Sequence, residues 1–228
     1  MKKVALCLHG YFDSFTDLSS KGEDGFEHIK HHILDKADVD VFIHTWDKEN
    51  KEQIDDLYGY WTRSLVVEDQ VNFEEEQGEY KSPEGHSPPK TIFSHLYSIQ
   101  ESFKACYDVG EKYDCVIKSR FDLGRINRRS SGPHNLQNPY PVQCINFNPD
   151  NPMSYFYMAD WQYLESDGPA DMWFYSNQKN MLEFTHIYDY LVAAAPTVEE
   201  WNAIKIYKSF LITHGLWEKS RTLPTTWE

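Results

Sequence analysis

The sequence predicts an α/β fold with a mainly parallel central sheet flanked by helices. Val4 to Leu8 is an unbroken apolar run closed by His9-Gly10, the pattern of a strand buried on both faces. Phe26, Ile29, Ile33 and Leu34 then recur at helical spacing. A second apolar run, Val39 to Trp46, ends among the polar residues His44, Thr45 and Asp47 and completes a βαβ unit. Strand and helix patterns go on alternating, so right-handed crossovers should leave the functional loops at the carboxyl ends of the strands.

The later elements follow from the same patterns. Lys48 to Tyr60 is polar and reads as a helix, and Leu65 to Val67 as a short third strand. Glu68 to Lys90 is acidic, then rich in Pro, Gly and Ser, which predicts a long excursion of the kind that covers active sites. Ile92, Phe93, Leu96, Ile99, Phe103 and Cys106 mark a helix of about four turns, followed by the strand Cys115 to Lys118. Residues 124–140 read as loop, Val142 to Phe147 and Asp171 to Tyr175 as strands, and about 178–194 and 198–214 as helices separated by Pro196.

A chain of 228 residues with 40% hydrophobic and 15% aromatic side chains is long enough for one large self-sufficient core, without disulfides or a structural metal. Lys and Arg number 22 against 36 Asp and Glu; the net charge of −14 repels polyanions and argues against general nucleic-acid binding. A local cationic group remains in Lys118, Arg120, Arg125, Arg128 and Arg129, which suits a nucleotide phosphate. Cys7, Cys106, Cys115 and Cys144 lie in apolar contexts without paired zinc spacing and read as reduced core thiols. With an N-terminal apolar run too short for a signal peptide and no stretch of roughly 20 apolar residues, the expected compartment is the cytosol. The motifs GxGxxG, GxxxxGK[ST] and GxSxG are absent, which removes three common functions.

Chemistry concentrates in Tyr113-Asp114-Cys115-Val116-Ile117-Lys118-Ser119-Arg120-Phe121-Asp122, where a buried strand delivers two cations and a carboxylate to its carboxyl end. Such charges need partners. They form either a structural Arg120–Asp122 pair or a diphosphate site, in which Asp122 coordinates a hard cation and Lys118 or Arg120 neutralises phosphate. His9 and His44 end neighbouring strands, each as a ligand contact or a hydrogen-bonded structural histidine. His28, His31 and His32 lack an HExxH pattern and read as a solvated helix face.

Strand one with its polar turn, the Asp40-Val41-Phe42-Ile43-His44-Thr45-Trp46 strand, the Lys118-Ser119-Arg120-Phe121-Asp122 strand end and a later Asp171-Met172-Trp173-Phe174-Tyr175 resemble small GT-A glycosyltransferases of bacterial and viral surface-polysaccharide pathways. The resemblance implies one GT-A-like, Rossmann-like domain over 1–228, with a nucleotide-binding half (1–123) and an acceptor-side half (124–228). It implies a sugar transferred from a nucleotide-sugar donor to a glycan or lipid-linked acceptor, by a hexosyl- or pentosyltransferase. It also implies that His9, Gly10 and Tyr11 meet the nucleotide, that Thr45, Trp46 and Asp47 line the base or ribose region, and that Asp122 holds Mn²⁺ or Mg²⁺. Arg120 stands where the first Asp of the family's Asp-x-Asp motif would be, and takes over part of the cation's role.

An inverting transferase also needs a carboxylate to deprotonate the acceptor hydroxyl. Asp171, after the Gly168-Pro169 turn, is the first candidate, with Asp160 and Asp167 as rivals. Tyr155-Phe156-Tyr157, Trp161, Tyr163 and Trp173-Phe174-Tyr175 are split between a sugar platform and core. Two other classes fit the same residues: a non-catalytic nucleotide- or carbohydrate-binding module, and a metal-dependent nucleotide phosphohydrolase.

Overall fold

In β1 (Lys3–His9), Val4 to Leu8 have no solvent exposure, because both faces of the strand are covered. The computed structural model describes residues 1–12, 22–81, 87–123, 144–160, 167–198 and 201–224. Among them, β1 joins β2 (Asp38–Thr45), β3 (Thr62–Val67), β4 (Cys115–Arg120), β5 (Phe156–Ala159), β6 (Trp173–Ser176) and β7 (Ser220–Leu223) in one sheet, ordered β3-β2-β1-β4-β6-β5-β7. The strands β3, β2, β1 and β4 are mutually parallel; β6 runs antiparallel to β4 and β5, and β7 parallel to β5. Strands from both halves of the chain thus share a single sheet. After β3 the chain crosses back over β1 to form β4, so the β1–β4 boundary is the place where strand order reverses and where ligands bind in open α/β sheets.

The alternation of side chains along each strand divides the core in two. Val4, Leu6 and Leu8 face Ile29 of α1 (Gly22–Ile29), Ile33 in the π-helical turn Lys30–Leu34 that continues it, and Tyr58 of α2 (Lys51–Tyr58). Ala5, Cys7, Phe42, Val116 and Phe174 face the opposite way. They pack on Ile92, Leu96, Ile99 and Phe103 of α4 (Pro89–Asp108), which follows the short α3 (Glu74–Gln77). The same layer takes in Leu191 of α6 (Ile187–Ala194) and Tyr207 and Phe210 of α7 (Ala203–Thr213). No helix among the described residues is long and apolar enough to cross a membrane.

Several sequence expectations are corrected. Cys144, Ile145 and Phe147 are buried but form no strand; residues 142–143 lie outside the described residues. Its backbone is satisfied by side chains instead: Trp173 Nε1 and Tyr175 Oη donate to the carbonyls of Cys144 and Asn146, and Ile145 N–H donates to His28 Nε2 at 3.1 Å. His28 is therefore a buried structural residue and not part of a solvated face. Asp171 precedes its strand, which starts at Trp173. The helix expected over 178–194 is broken: α5 (Gln178–Met181) starts at Asn177, whose side chain accepts from Asn180 N–H, and a 3₁₀ segment, Leu182–His186, separates it from α6. The last helix starts only at Ala203, where Asn202 caps it through Ile204 N–H. The expected excursion contains α3, and its residues 82–86 lie outside the described residues.

Helix α1 reaches the exit of β4 through Gly25. A Cβ at this position would fall onto the carbonyl oxygen of Phe121. Alanine ordinarily gains up to ~1 kcal/mol over glycine in a helix, but here the obstacle is backbone, which cannot swing aside. We expect Gly25→Ala to lose about 1–3 kcal/mol, the usual cost of overpacking, as a lower urea midpoint at unchanged slope; a midpoint at or above wild type would contradict the close approach of α1 to the Phe121–Asp122 turn.

Candidate active site

The carboxyl ends of β1 and β2 are tied together by one serine. Gly10 takes φ +91°, a left-handed conformation that glycine adopts without strain. Its N–H reaches Ser98 Oγ of α4 at 3.0 Å. Ser98 Oγ lies 2.7 Å from His44 Nδ1, and His44 Nε2 lies 2.7 Å from Glu68 Oε1. A carboxylate only accepts, so Nε2 carries the proton and Nδ1 accepts from the Ser98 hydroxyl. Burial lowers the pKa of His44 despite Glu68, which keeps this tautomer neutral. Trp46 stacks on Tyr97 beside it, with ring centroids 5.5 Å apart.

Val116, Lys118 and Arg120 alternate onto the α4 face of β4. Lys118 has no solvent exposure, and Nζ donates to the backbone carbonyl of Asp171 while lying 5.2 Å from the Phe174 ring and 5.4 Å from that of Tyr207. Burial lowers its pKa to about 7. Arg120, one turn of the pleat further out, holds Asp122 with a two-pronged fork: Nε donates to Oδ1 at 2.8 Å and Nη2 to Oδ2. Its Nη1 makes only long contacts, 3.5 Å to each oxygen of Asp171. Burial alone would raise the pKa of Asp171, but Arg120, His95 and Lys118 bring it down to about 2.

These residues form one wall of a cavity of about 850 Å³, within the range of small-molecule and cofactor sites. Seven expected site residues line it: His9, Gly10, Tyr11, Trp46, Arg120, Asp122 and Asp171. Thr45, Asp47, Lys118 and Asp160 do not. Thr45 Oγ1 accepts from Asp47 N–H, and Asp47 accepts from Asn50 ahead of α2, so both shape the turn behind Trp46. Lys118 lies behind the wall, and Asp160 is exposed beyond β5 with its N–H on the Leu223 carbonyl. Asp167 is half-buried and also outside the cavity lining. Phe156, Tyr157, Trp173, Phe174 and Tyr175 are core, so they provide no sugar platform. Arg125, Arg128, Arg129, Trp161 and Tyr163 lie outside the described residues.

Two histidines stand between these groups. His9 is 1% exposed, and neither ring nitrogen has a hydrogen-bond partner among the described residues. Burial, together with Lys118, His95, Arg120 and His44, keeps it neutral by pushing its pKa well below the usual range. The ring of His95 meets it edge-on, with centroids 5.1 Å apart, and His95 also lines the cavity. No motif marks His95. Its signal is position alone, since it lies three residues after Ile92 and four before Ile99, on their apolar stripe, where a polar residue has no packing reason to be.

The residues at Asp122 fit a guanidinium better than Mn²⁺ or Mg²⁺. Both carboxylate oxygens are engaged by Arg120, and no group of three metal-ligating side chains occurs among the described residues. A hard cation would have to displace the fork.

No protein-family model matches the chain, and no curated protein sequence does. Among solved structures it is similar to the crystal structure of a glycosyltransferase involved in the glycosylation of the major capsid of PBCV-1, at 10% identity and a TM-score of 0.43, over 97% of this chain and 81% of that one. At that similarity the neighbour says nothing about the role of any residue here.

The opposed effects on Asp171 separate experimentally. In Arg120→Ala the main cation facing its carboxyl is gone while burial remains, so its pKa is expected to rise from about 2. Carboxyl-carbon NMR titration reads this directly, and an unmoved titration would show that the Arg120–Asp171 contact carries no charge coupling.

Proposed function

We propose that the protein is a nucleotide-sugar-dependent glycosyltransferase, a hexosyl- or pentosyltransferase, that seats its donor at the carboxyl ends of β1 and β4. The acceptor in this reading is a glycan or a lipid-linked saccharide. The observation that carries it is His9, with two buried and unpartnered ring nitrogens in the wall of a nucleotide-sized cavity and in register with Arg120 on the adjacent strand. Each unsatisfied buried polar atom costs about 1–3 kcal/mol, a cost a polar ligand would remove.

Breaking a sugar–diphosphate bond develops negative charge on the leaving phosphate. Interactions that strengthen as this charge grows accelerate the step. Arg120 suits the role: Asp122 fixes the plane of its guanidinium through two N–H groups, and its remaining donors are engaged only loosely with Asp171. Lys90, at the start of α4, adds a second cation to the lining. Gly10 and Tyr11 would meet the nucleotide alongside His9, with Trp46 flanking it. The four free, buried cysteines suit a reducing compartment such as the cytosol. The engagement of Asp122 and Asp171 by one arginine equally favours a second reading, a binding module that holds the donor without turning it over.

Thermal-shift and calorimetric titrations with UDP-, GDP- and dTDP-sugars, with EDTA or with added Mn²⁺ or Mg²⁺, test the assignment. Saturation at about 100 times the dissociation constant adds roughly 2.7 kcal/mol of stability. The expected result is one stabilising nucleotide sugar whose effect persists in EDTA, with release of the nucleoside diphosphate. Arg120→Ala is expected to weaken that binding by about 10- to 100-fold, the equivalent of a charge-assisted hydrogen bond. Binding without any turnover would select the module reading, and no binding at millimolar ligand would overturn both.

A further inference from the structure

Resting on the transferase reading, we propose that His95, oriented by Asp171, is the catalytic base that takes the proton of the acceptor hydroxyl. Asp171 itself is poorly suited. Its carboxylate oxygens face Arg120 Nη1 and His95 Nε2, each at 3.5 Å, so they are turned to partners within the protein and not to an acceptor hydroxyl.

The geometry of His95 supplies what Asp171 lacks. Its Nε2 lies 2.9 Å from Tyr207 Oη and 3.5 Å from Asp171 Oδ2. In this proposal the ring proton sits on Nε2, where it faces Tyr207 and Asp171, and the lone pair on Nδ1. Among the described residues Nδ1 has no partner, and the side chain is 21% exposed in a residue that lines the cavity. A carboxylate that fixes the tautomer of an imidazole, whose other nitrogen faces the substrate, is the arrangement that activates hydroxyl groups in unrelated hydrolases.

The charged and titratable groups around His95 come from four elements: His9 on β1, Lys118 and Arg120 on β4 with Asp122 just beyond it, Asp171 before β6, and Tyr207 on α7. Burial and the two cations of β4 outweigh the carboxylates and lower the pKa of His95 to about 3, so the free enzyme holds it as a base at neutral pH. A bound diphosphate would offset those cations and raise its affinity for a proton at the moment of use.

The step is a single displacement. Nδ1 takes the hydroxyl proton as the acceptor oxygen attacks the anomeric carbon. The bond from that carbon to the diphosphate oxygen breaks, and its electron pair leaves with the diphosphate beside Arg120. The imidazolium then returns its proton to solvent, and the anomeric configuration is inverted.

The test uses the full chain with a panel of UDP-, GDP- and dTDP-hexoses at millimolar concentration and free monosaccharides or water as acceptor, following nucleoside diphosphate release. His95→Gln and His95→Ala are expected to slow turnover by about 10²–10⁴-fold while donor affinity stays within a few-fold of wild type. Added imidazole is expected to restore part of the His95→Ala rate, and the acid limb of the wild-type pH–rate profile should vanish in that variant. Wild-type turnover in both variants would overturn the inference. So would a loss of donor binding and rate together, with no imidazole rescue and the acid limb intact, which marks a structural histidine. Donor binding by the wild type without turnover would overturn this inference while leaving the site; no binding at all would overturn the transferase reading and this inference with it.

Discussion

The arrangement depends on how the fold accommodates two cations on one buried strand face. Lys118 and Arg120 lie two residues apart on the α4 side of β4, and unpaired charges there would cost several kcal/mol each. The fold answers with a carboxylate from the same strand end, Asp122, and a second group brought from far along the chain, Asp171, whose backbone carbonyl takes Lys118 and whose side chain faces Arg120. Satisfying those cations sets the course of the chain leaving β4 and entering β6. The floor of the cavity is thus made of groups whose positions are over-determined by charge, which is the condition for electrostatic preorganisation.

Helix α4 connects the rigid part of this site to its reactive part. Ser98 holds the ends of β1 and β2 through Gly10 and His44, and one turn earlier His95 stands in the cavity against His9, Tyr207 and Asp171. Because one helix carries both, the distance between the β1 turn and His95 is set by helix geometry and not by loops. Among the described residues most polar atoms in this region are paired; both ring nitrogens of His9 and Nδ1 of His95 are not.

Strand-end residues were legible because apolar runs show where a buried strand stops, and His9, Gly10, Trp46 and Arg120 sit where β1, β2 and β4 release the chain. The same logic could not separate lining residues from supporting ones. Thr45 and Asp47 are as polar and as close to a strand end as Trp46, yet they are spent on the turn to α2. Phe156 and Trp173 read equally as platform or core, because aromatic composition does not reveal what lies opposite. The four-residue strands β5 and β7 escaped notice for a related reason: a short segment has no period to detect, and Ser220–Leu223, on the sheet edge, is polar at every position but Leu223.

By itself, then, the sequence determined the parallel βαβ core, the helix now seen as α4, and the charged exit of β4, since burial of one face or stripe is written as local periodicity. Only the tertiary structure decided that β6 enters antiparallel beside β4, that Asp171 meets Arg120 across 51 positions, and that His95 meets Tyr207 across 112. Periodicity specifies which side of an element is buried but not which distant element covers it. That choice is made by the packing of whole layers, and by the requirement that each buried charge find its opposite.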